Sequence, residues 1–258
     1  MTTTGPARTG GHVCLSYDEP DSFENAARDF LAAGVAAGER VWYLAPEPPR
    51  GWSFRPELVR LGDHYPEGGV IDPAAGVAAY ASATDRALED GYRGLRVAAE
   101  ATPLVATPDQ LDAFARYEHL VDRYMRGAPF SALCGYDRAT LGGGAVDELA
   151  CLHPVSAAPF RLFAVAPGPA DTGLAGELDW STHELFAQAL ERADPRPGSG
   201  EWVIEAGWLT FVDHTCLLLL DEFARARGLT AVLRTRTVLP GRLVALMGLT
   251  ALRVESAR

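Results

Sequence analysis

Short apolar runs of strand length alternate with longer amphipathic stretches along residues 12–137, and this alternation leaves the first half of the chain few architectures to adopt. "HVCLSY" (12–17), "RVWYLA" (40–45), "GLRVAAE" (94–100) and "FSALCGYD" (130–137) read as strands. "GVI" (69–71) reads as a further short strand ending at Asp72. Between them lies "DSFENAARDFLAAGVAAG" (21–38), where Phe23, Ala27, Phe30, Leu31 and Val35 recur at helical spacing and Gly38 supplies a stop. "AAGVAAYASATDRALEDG" is a second helix, closed by Gly91. "TPDQLDAFARYEHLVDRYM" is a third; Thr107 caps it, Pro108 takes the first helical position and Gln110 completes a capping box. Strand–helix alternation of this kind predicts an α/β unit, a mostly parallel sheet with helices on both faces.

"PVSAAP" (154–159) then reads as a hinge, after which the pattern restarts. Strands are expected at "RLFAVAP", "TGLAGELD", "EWVIEA", "TAVLRTRT" and "ALRVE". Helices are expected around 183–193, over 214–227 with Gly228 as stop, and after Pro240. The expected organisation is a flexible tail (1–11), a first domain (12–156) and a second, smaller α/β domain (157–258).

The net charge of −11 disfavours direct contact with nucleic acid. The sequence contains no lysine, which excludes a Schiff base and the lysine of a phosphate-binding loop. No apolar stretch approaches the ~20 residues of a membrane helix. Residues 1–11 lack the apolar core of a signal peptide. The expectation is a cytoplasmic protein whose four cysteines (Cys14, Cys134, Cys151, Cys216) are reduced thiols.

In "LTFVDHTCLLLLDEF" (209–223) four leucines follow an acid, an imidazole and a hydroxyl. Four successive leucines cannot share one face of a helix. Cys216, Leu219, Leu220 and Phe223 make the expected buried stripe. His214, Leu218, Asp221/Glu222 and Arg225 make an outer one, either a solvated face or a docking surface. Asp213 or Thr215 fits the helix cap.

"LAGELDWSTHELFAQAL" followed by "VIEAGWLTFVDHTCLLLL" resembles the STAS domain of anti-sigma factor antagonists. The likeness lies in Gly176-Glu177-Leu178-Asp179 and in Phe211-Val212-Asp213, over about residues 160–258. It implies docking onto an anti-sigma factor or related kinase-fold partner through Asp213, His214, Thr215, Leu218, Glu222 and Arg225. In that family a phosphorylatable serine follows the Asp; here the position is His214. Three options follow: Thr215 takes the phosphate, His214 responds to pH or another ligand, or the docking unit is not phospho-regulated. We favour the last, with switching supplied by the first domain.

The turn after "HVCLSY" is "DEPDS". A P-loop would place glycines and Gly-Lys-Ser/Thr there; instead Asp18, Glu19 and Asp21 put carboxylates where phosphate would lie, and ATP hydrolysis is not expected. Ligands of open parallel sheets bind at the carboxyl ends of strands, where Tyr17, Asp18, Asp72, Glu100, Tyr136 and Asp137 fall. His12-Val13-Cys14, Cys134 and Cys151-Leu152-His153 form a second group of metal-ligand types without zinc-knuckle spacing, for which core packing is favoured over a metal or haem. No metal or other cofactor is therefore assigned.

"HVCLSYDEPDSFENAARDFLAAGVAAGERVWYL", "GLRVAAE", "LCGYD" and "LHP" together resemble the MEDS domain, over residues 11–154. The resemblance implies a degenerate relative of the RecA/KaiC core that lacks the phosphate loop and senses small organic compounds. His12, Tyr17, Glu100, Cys134, Tyr136 and His153 carry the pattern; with Asp18 they form the expected ligand site. The expected function is thus a non-enzymatic regulator, a small-ligand sensor controlling a docking domain, with homodimerisation open. The alternatives are a metal- or carboxylate-dependent hydrolase using Glu100 and Asp18 in the first-domain pocket, with His12 or His153 as base, and a protein-binding scaffold.

Overall fold

The computed structural model describes residues 11–63, 65, 68–165, 172–197 and 199–257; the expected tail, apart from Gly11, lies outside them. The chain divides into two compact units, Met1–Ala157 and Ala158–Arg258.

The first unit runs β1 (His12–Tyr17), α1 (Pro20–Ala37), β2 (Arg40–Leu44), β3 (Glu57–Leu58), α2 (Pro73–Glu89), β4 (Leu95–Glu100), α3 (Pro108–Met125), β5 (Phe130–Asp137), α4 (Arg138–Leu141) and α5 (Gly143–Ala150). Its strands form one wholly parallel sheet in the order β1-β5-β4-β2-β3. The capping box of α3 is present: Gln110 N donates to Thr107 Oγ1 at 3.3 Å and Thr107 N to Gln110 Oε1 at 3.1 Å. The expected strand at 69–71 does not form. Ile71 is buried, and Asp72 accepts from the amides of Ala74 and Ala75 as the N-cap of α2, so this segment is a helix entry.

Successive strand residues face opposite sides, and the two sides of this sheet have different covers. Phe23, Ala27 and Leu31 of α1 pack on Tyr17, Val41, Tyr43, Ala98 and Leu133. Full burial of a side chain such as Leu31 is worth about 1.5–3 kcal/mol. Gly34 belongs to the same buried stripe, whereas Val35 is exposed and Phe30 only half-buried. On the other side, Tyr80 of α2 and Phe114 and Tyr117 of α3 stand with Val97, Ala99, Ala132 and Cys134 around one cavity.

The second unit runs β6 (Phe160–Phe163), β7 (Thr172–Leu178), α6 (His183–Ala193), β8 (Glu201–Val212), α7 (His214–Ala226), β9 (Thr230–Thr235), α8 (Leu239–Met247) and β10 (Leu252–Ser256). Its sheet has the order β10-β9-β8-β7-β6, parallel except for the antiparallel pair β6–β7. Trp202, Ile204 and Ala206 of β8 are fully buried, and the Trp202 ring lies 5.6 Å from Phe223 of α7. Cross-strand ion pairs connect Arg234 to Glu205 and Glu255, and Arg253 to Glu201; Arg253 also pairs with Glu255 along its own strand. Such exposed pairs add little energy; they favour one register. Among the described residues no helix is long and apolar enough to cross a membrane.

Candidate functional site

The α2/α3 side of the first sheet buries an ionisable cluster. His12 opens β1, Cys134 and Tyr136 share one side of β5, and His153 lies just beyond α5. Glu118 and Asp122 enter from α3, where Phe114, Glu118, Val121 and Asp122 fall on one stripe. His12, Glu118, His119, Asp122, Tyr136 and His153 all have 0% exposure. His12 Nε2 lies 2.9 Å from Glu118 Oε2, and its Nδ1 lies 3.5 Å from Asp122 Oδ1. His153 Nε2 is 3.6 Å from the same Glu118 oxygen. The Tyr136 hydroxyl donates to Glu118 Oε1. Cys134 Sγ is 3.8 Å from both His12 Nε2 and Glu118 Oε2. The two histidine rings lie 3.9 Å apart, centroid to centroid. Arg126, one turn beyond Asp122, pairs with it at 2.6 Å.

This arrangement separates the protonation states of three buried histidines. Burial disfavours charge on His12, but Asp122 and Glu118 outweigh it by hydrogen bond and charge and lift the group to about 9. Burial, together with the neighbouring His12 charge, pushes His153 down to about 4. Burial and Arg123 do the same to His119. Burial also opposes ionisation of Glu118, yet His153, His12 and the Tyr136 hydroxyl hold it down to about 2. The interior therefore carries His12 as imidazolium between two carboxylates, beside neutral His153.

These shifts set a pH optimum for stability. Below the usual histidine value of 6.5 the unfolded chain takes up protons that folded His119 and His153 refuse, so stability falls toward pH 4. Above 6.5 folded His12 keeps a proton that the unfolded chain releases, so stability also falls toward pH 9. Each group contributes a slope of about 1.4 kcal/mol per pH unit. Urea denaturation across pH 5 to 9, with chelator present, is expected to peak near 6.5; a flat profile would contradict these charge states.

Beside the cluster is a cavity of about 20 Å³ bordered by Glu118, Cys134 and aromatic side chains, room for roughly one water-sized guest. Tyr65, Tyr80 and Tyr117 line it, with the Tyr65 hydroxyl 3.0 Å from that of Tyr80 and 3.4 Å from that of Tyr117.

The expected ligand site is divided by the sheet. His12, Cys134, Tyr136 and His153 meet in the cluster. Tyr17 packs on the α1 side, where its hydroxyl donates to Glu100 Oε1 at 2.9 Å. Tyr17 is also five residues from His12, roughly 16 Å along the strand. Asp18 is exposed in the turn before α1, Asp72 caps α2, and Asp137 caps α4. The hydrolase arrangement of Glu100 and Asp18 with His12 or His153 is thus not assembled. Sequence reasoning missed Glu118, Asp122 and the three tyrosines; two acids on the buried stripe of α3 were the available signal.

In the second unit, strands β7 and β8 end together, with Asp213 N donating to Leu178 O at 2.9 Å. Asp213 is the N-cap of α7: Oδ1 accepts from Cys216 N at 2.9 Å and from the Thr215 hydroxyl at 2.7 Å. His214, Leu218, Glu222 and Arg225 are exposed, as the helical phase requires. Asp221 does not join this outer stripe. It is fully buried, accepts from Ala251 N at 2.6 Å and pairs with Arg225. Leu217 takes the fully buried place expected of Leu219, which is half-buried. The buried arc of α7 is centred nearer Leu217, Leu220, Asp221 and Ala224, because the segment before β10 covers that side through Ala251.

The first unit is a three-layer α/β domain with a doubly covered parallel sheet, whose ionisable groups gather in the interior and not at a phosphate-wrapping turn. Residues 11–154 match the family model described as MEDS, the MEthanogen/methylotroph, DcmR Sensory domain. The chain belongs to the MEDS family, and its first unit is a sensory domain. No curated protein matches the chain.

Proposed function

We propose that the protein is a non-enzymatic cytoplasmic signalling regulator in which the sensory unit, on binding a small organic ligand, controls a STAS-like docking unit. The docking unit engages an anti-sigma factor or related kinase-fold protein. The observation that carries this reading is the α7 corner: Asp213 caps the helix at the ends of two parallel strands, and His214, Leu218, Glu222 and Arg225 stand outward beside it. The five-stranded sheet with one antiparallel edge strand, and the Gly176–Asp179 segment leading to a neighbouring strand end, support the STAS-like reading. The Thr215 hydroxyl is engaged by Asp213, which favours docking without phosphorylation at that residue. On the sensory side, the cavity bordered by Glu118 and Cys134 supports a ligand site there; at about 20 Å³ it must widen to admit an organic compound.

A ligand shifts docking only through different affinities for two arrangements of the protein, and reversing a 99:1 bias takes about 5.5 kcal/mol of that difference. Binding titrations of the full chain against candidate anti-sigma factors, with and without small organic compounds, test the proposal. Leu218→Glu is expected to weaken partner binding at least ~10-fold, about 1.4 kcal/mol, with the fold intact because Leu218 is exposed. Equal binding by wild type and variant removes the α7 face from the mechanism.

A further inference from the structure

Four donor atoms of different chemistry converge inside the first unit: His12 Nε2, Glu118 Oε2, Cys134 Sγ and His153 Nε2, all within 4.8 Å of one another and all on buried residues. From this geometry we infer that the cluster is a binding site for one divalent transition-metal ion of the zinc or ferrous class, held by His12, Glu118, Cys134 and His153. The inference stands apart from the docking proposal; neither needs the other.

Donor spacing comes first. Ligands about 2.0–2.3 Å from a tetrahedral ion lie roughly 3.3–3.8 Å from one another. The separations here are 3.6 Å for His153 Nε2 to Glu118 Oε2 and 3.8 Å for Cys134 Sγ to each of His12 Nε2 and Glu118 Oε2. His12 Nε2 to Glu118 Oε2 is shorter, 2.9 Å, the length of a direct hydrogen bond. An ion there would replace that bond, displacing the His12 Nε2 proton and the Cys134 thiol proton to solvent and lengthening the contact by a few tenths of an ångström. Two imidazoles, a carboxylate and a thiolate are a borderline donor set, suited to zinc, ferrous or cobaltous ions and poorly suited to magnesium or calcium.

The outer partners point the same way. His153 Nδ1 faces a carbonyl, Leu149 O at 2.9 Å, so it must donate there, and the neutral ring leaves the Nε2 lone pair directed at the other donors. That Nε2 is buried without a hydrogen-bond partner among the described residues. His12 presents Nδ1 to Asp122 and Nε2 to the centre. The Tyr136 hydroxyl holds Glu118 Oε1, leaving Oε2 inward. Second groups of this kind, fixing the back of each ligand, are what metal sites use to set tautomer and orientation.

The full chain, stripped with chelator, is titrated with Co²⁺ and followed by visible and near-ultraviolet absorbance. The expected result is saturation at one equivalent, with the intense bands of a tetrahedral site, a thiolate charge-transfer band, and displacement by Zn²⁺. Cys134→Ala is expected to abolish the charge-transfer band, while Cys14→Ala, one strand away, keeps it. His153→Gln is expected to weaken Co²⁺ more than the ~10–100-fold that loss of an outer partner costs, with unchanged far-ultraviolet circular dichroism. Should Cys134→Ala not fold, His153→Gln and Cys14→Ala decide the matter. A weak aquo-like spectrum, no saturation at one equivalent, a band that follows Cys14, or Co²⁺ affinity unchanged in His153→Gln overturns the assignment.

Discussion

Glu118→Leu is expected to lower the stability of the chelator-treated protein by about 3–5 kcal/mol, the cost of stranding a buried charge. Glu118 is the shared partner of His12, His153 and the Tyr136 hydroxyl. Leucine matches its volume approximately, so the loss is mainly electrostatic. His12 is left with Asp122 alone, at 3.5 Å, and must either stay charged in a low-dielectric interior or give up its proton. The double variant Glu118→Leu/His12→Phe removes both charges and is expected to regain part of the loss, since an apolar pair of similar size is often no worse than a buried ion pair. Urea denaturation of the two single variants and the double gives the coupling. A single-variant loss below about 1 kcal/mol would mean that His12 is not held as an imidazolium.

Gly176→Ala is expected to cost about 2–5 kcal/mol through two additive causes. Gly176 has φ +89, a left-handed conformation that strains any residue with a Cβ. An added Cβ would also strike the carbonyl oxygen of Pro159 and come within 2.9 Å of Phe160 Cα. That backbone cannot retreat easily, because Phe160 pairs with Gly176 across β6–β7 and Pro159 O accepts from Glu177 N at 2.9 Å. Gly207→Ala is the control. Its nearest neighbour would be 3.7 Å away, on the flexible side chain of Arg236, and a change under about 1 kcal/mol is expected. Thermal or urea unfolding that ranks the two variants equally would refute the assigned strain.

The architecture was readable because the signals were local. The capping box at Thr107, the glycine stop at Gly38 and the strand lengths of β1, β2, β4 and β5 all depend on neighbours in sequence, and the structure bears them out. Residues 69–71 show the limit. A run of strand composition forms a strand only where a partner edge is available, and here Asp72 and Pro73 commit it to a helix. Helices α4 and α5 leave little trace in the sequence because a glycine-rich stretch gives weak periodicity. The site was half legible. His12, Cys134, Tyr136 and His153 are recognisable by residue type, but strand parity sends Tyr17 and Glu100 to the opposite side. Glu118 escaped because a carboxylate on a helix is ordinarily taken for solvated surface; only its phase with Phe114 and Val121 marks it as interior.

The segment leaving the first unit is not slack from its start. Val155 forms a parallel bridge with Val13, and Cys14 N donates to Val155 O at 2.9 Å, so the outgoing backbone is stitched to β1 between the residues that flank Val13. His153 lies two positions upstream of that stitch and His12 directly beside it. The backbone that carries both imidazoles is thus held at one place, and residues 153–155 leave the cluster anchored to the edge of β1.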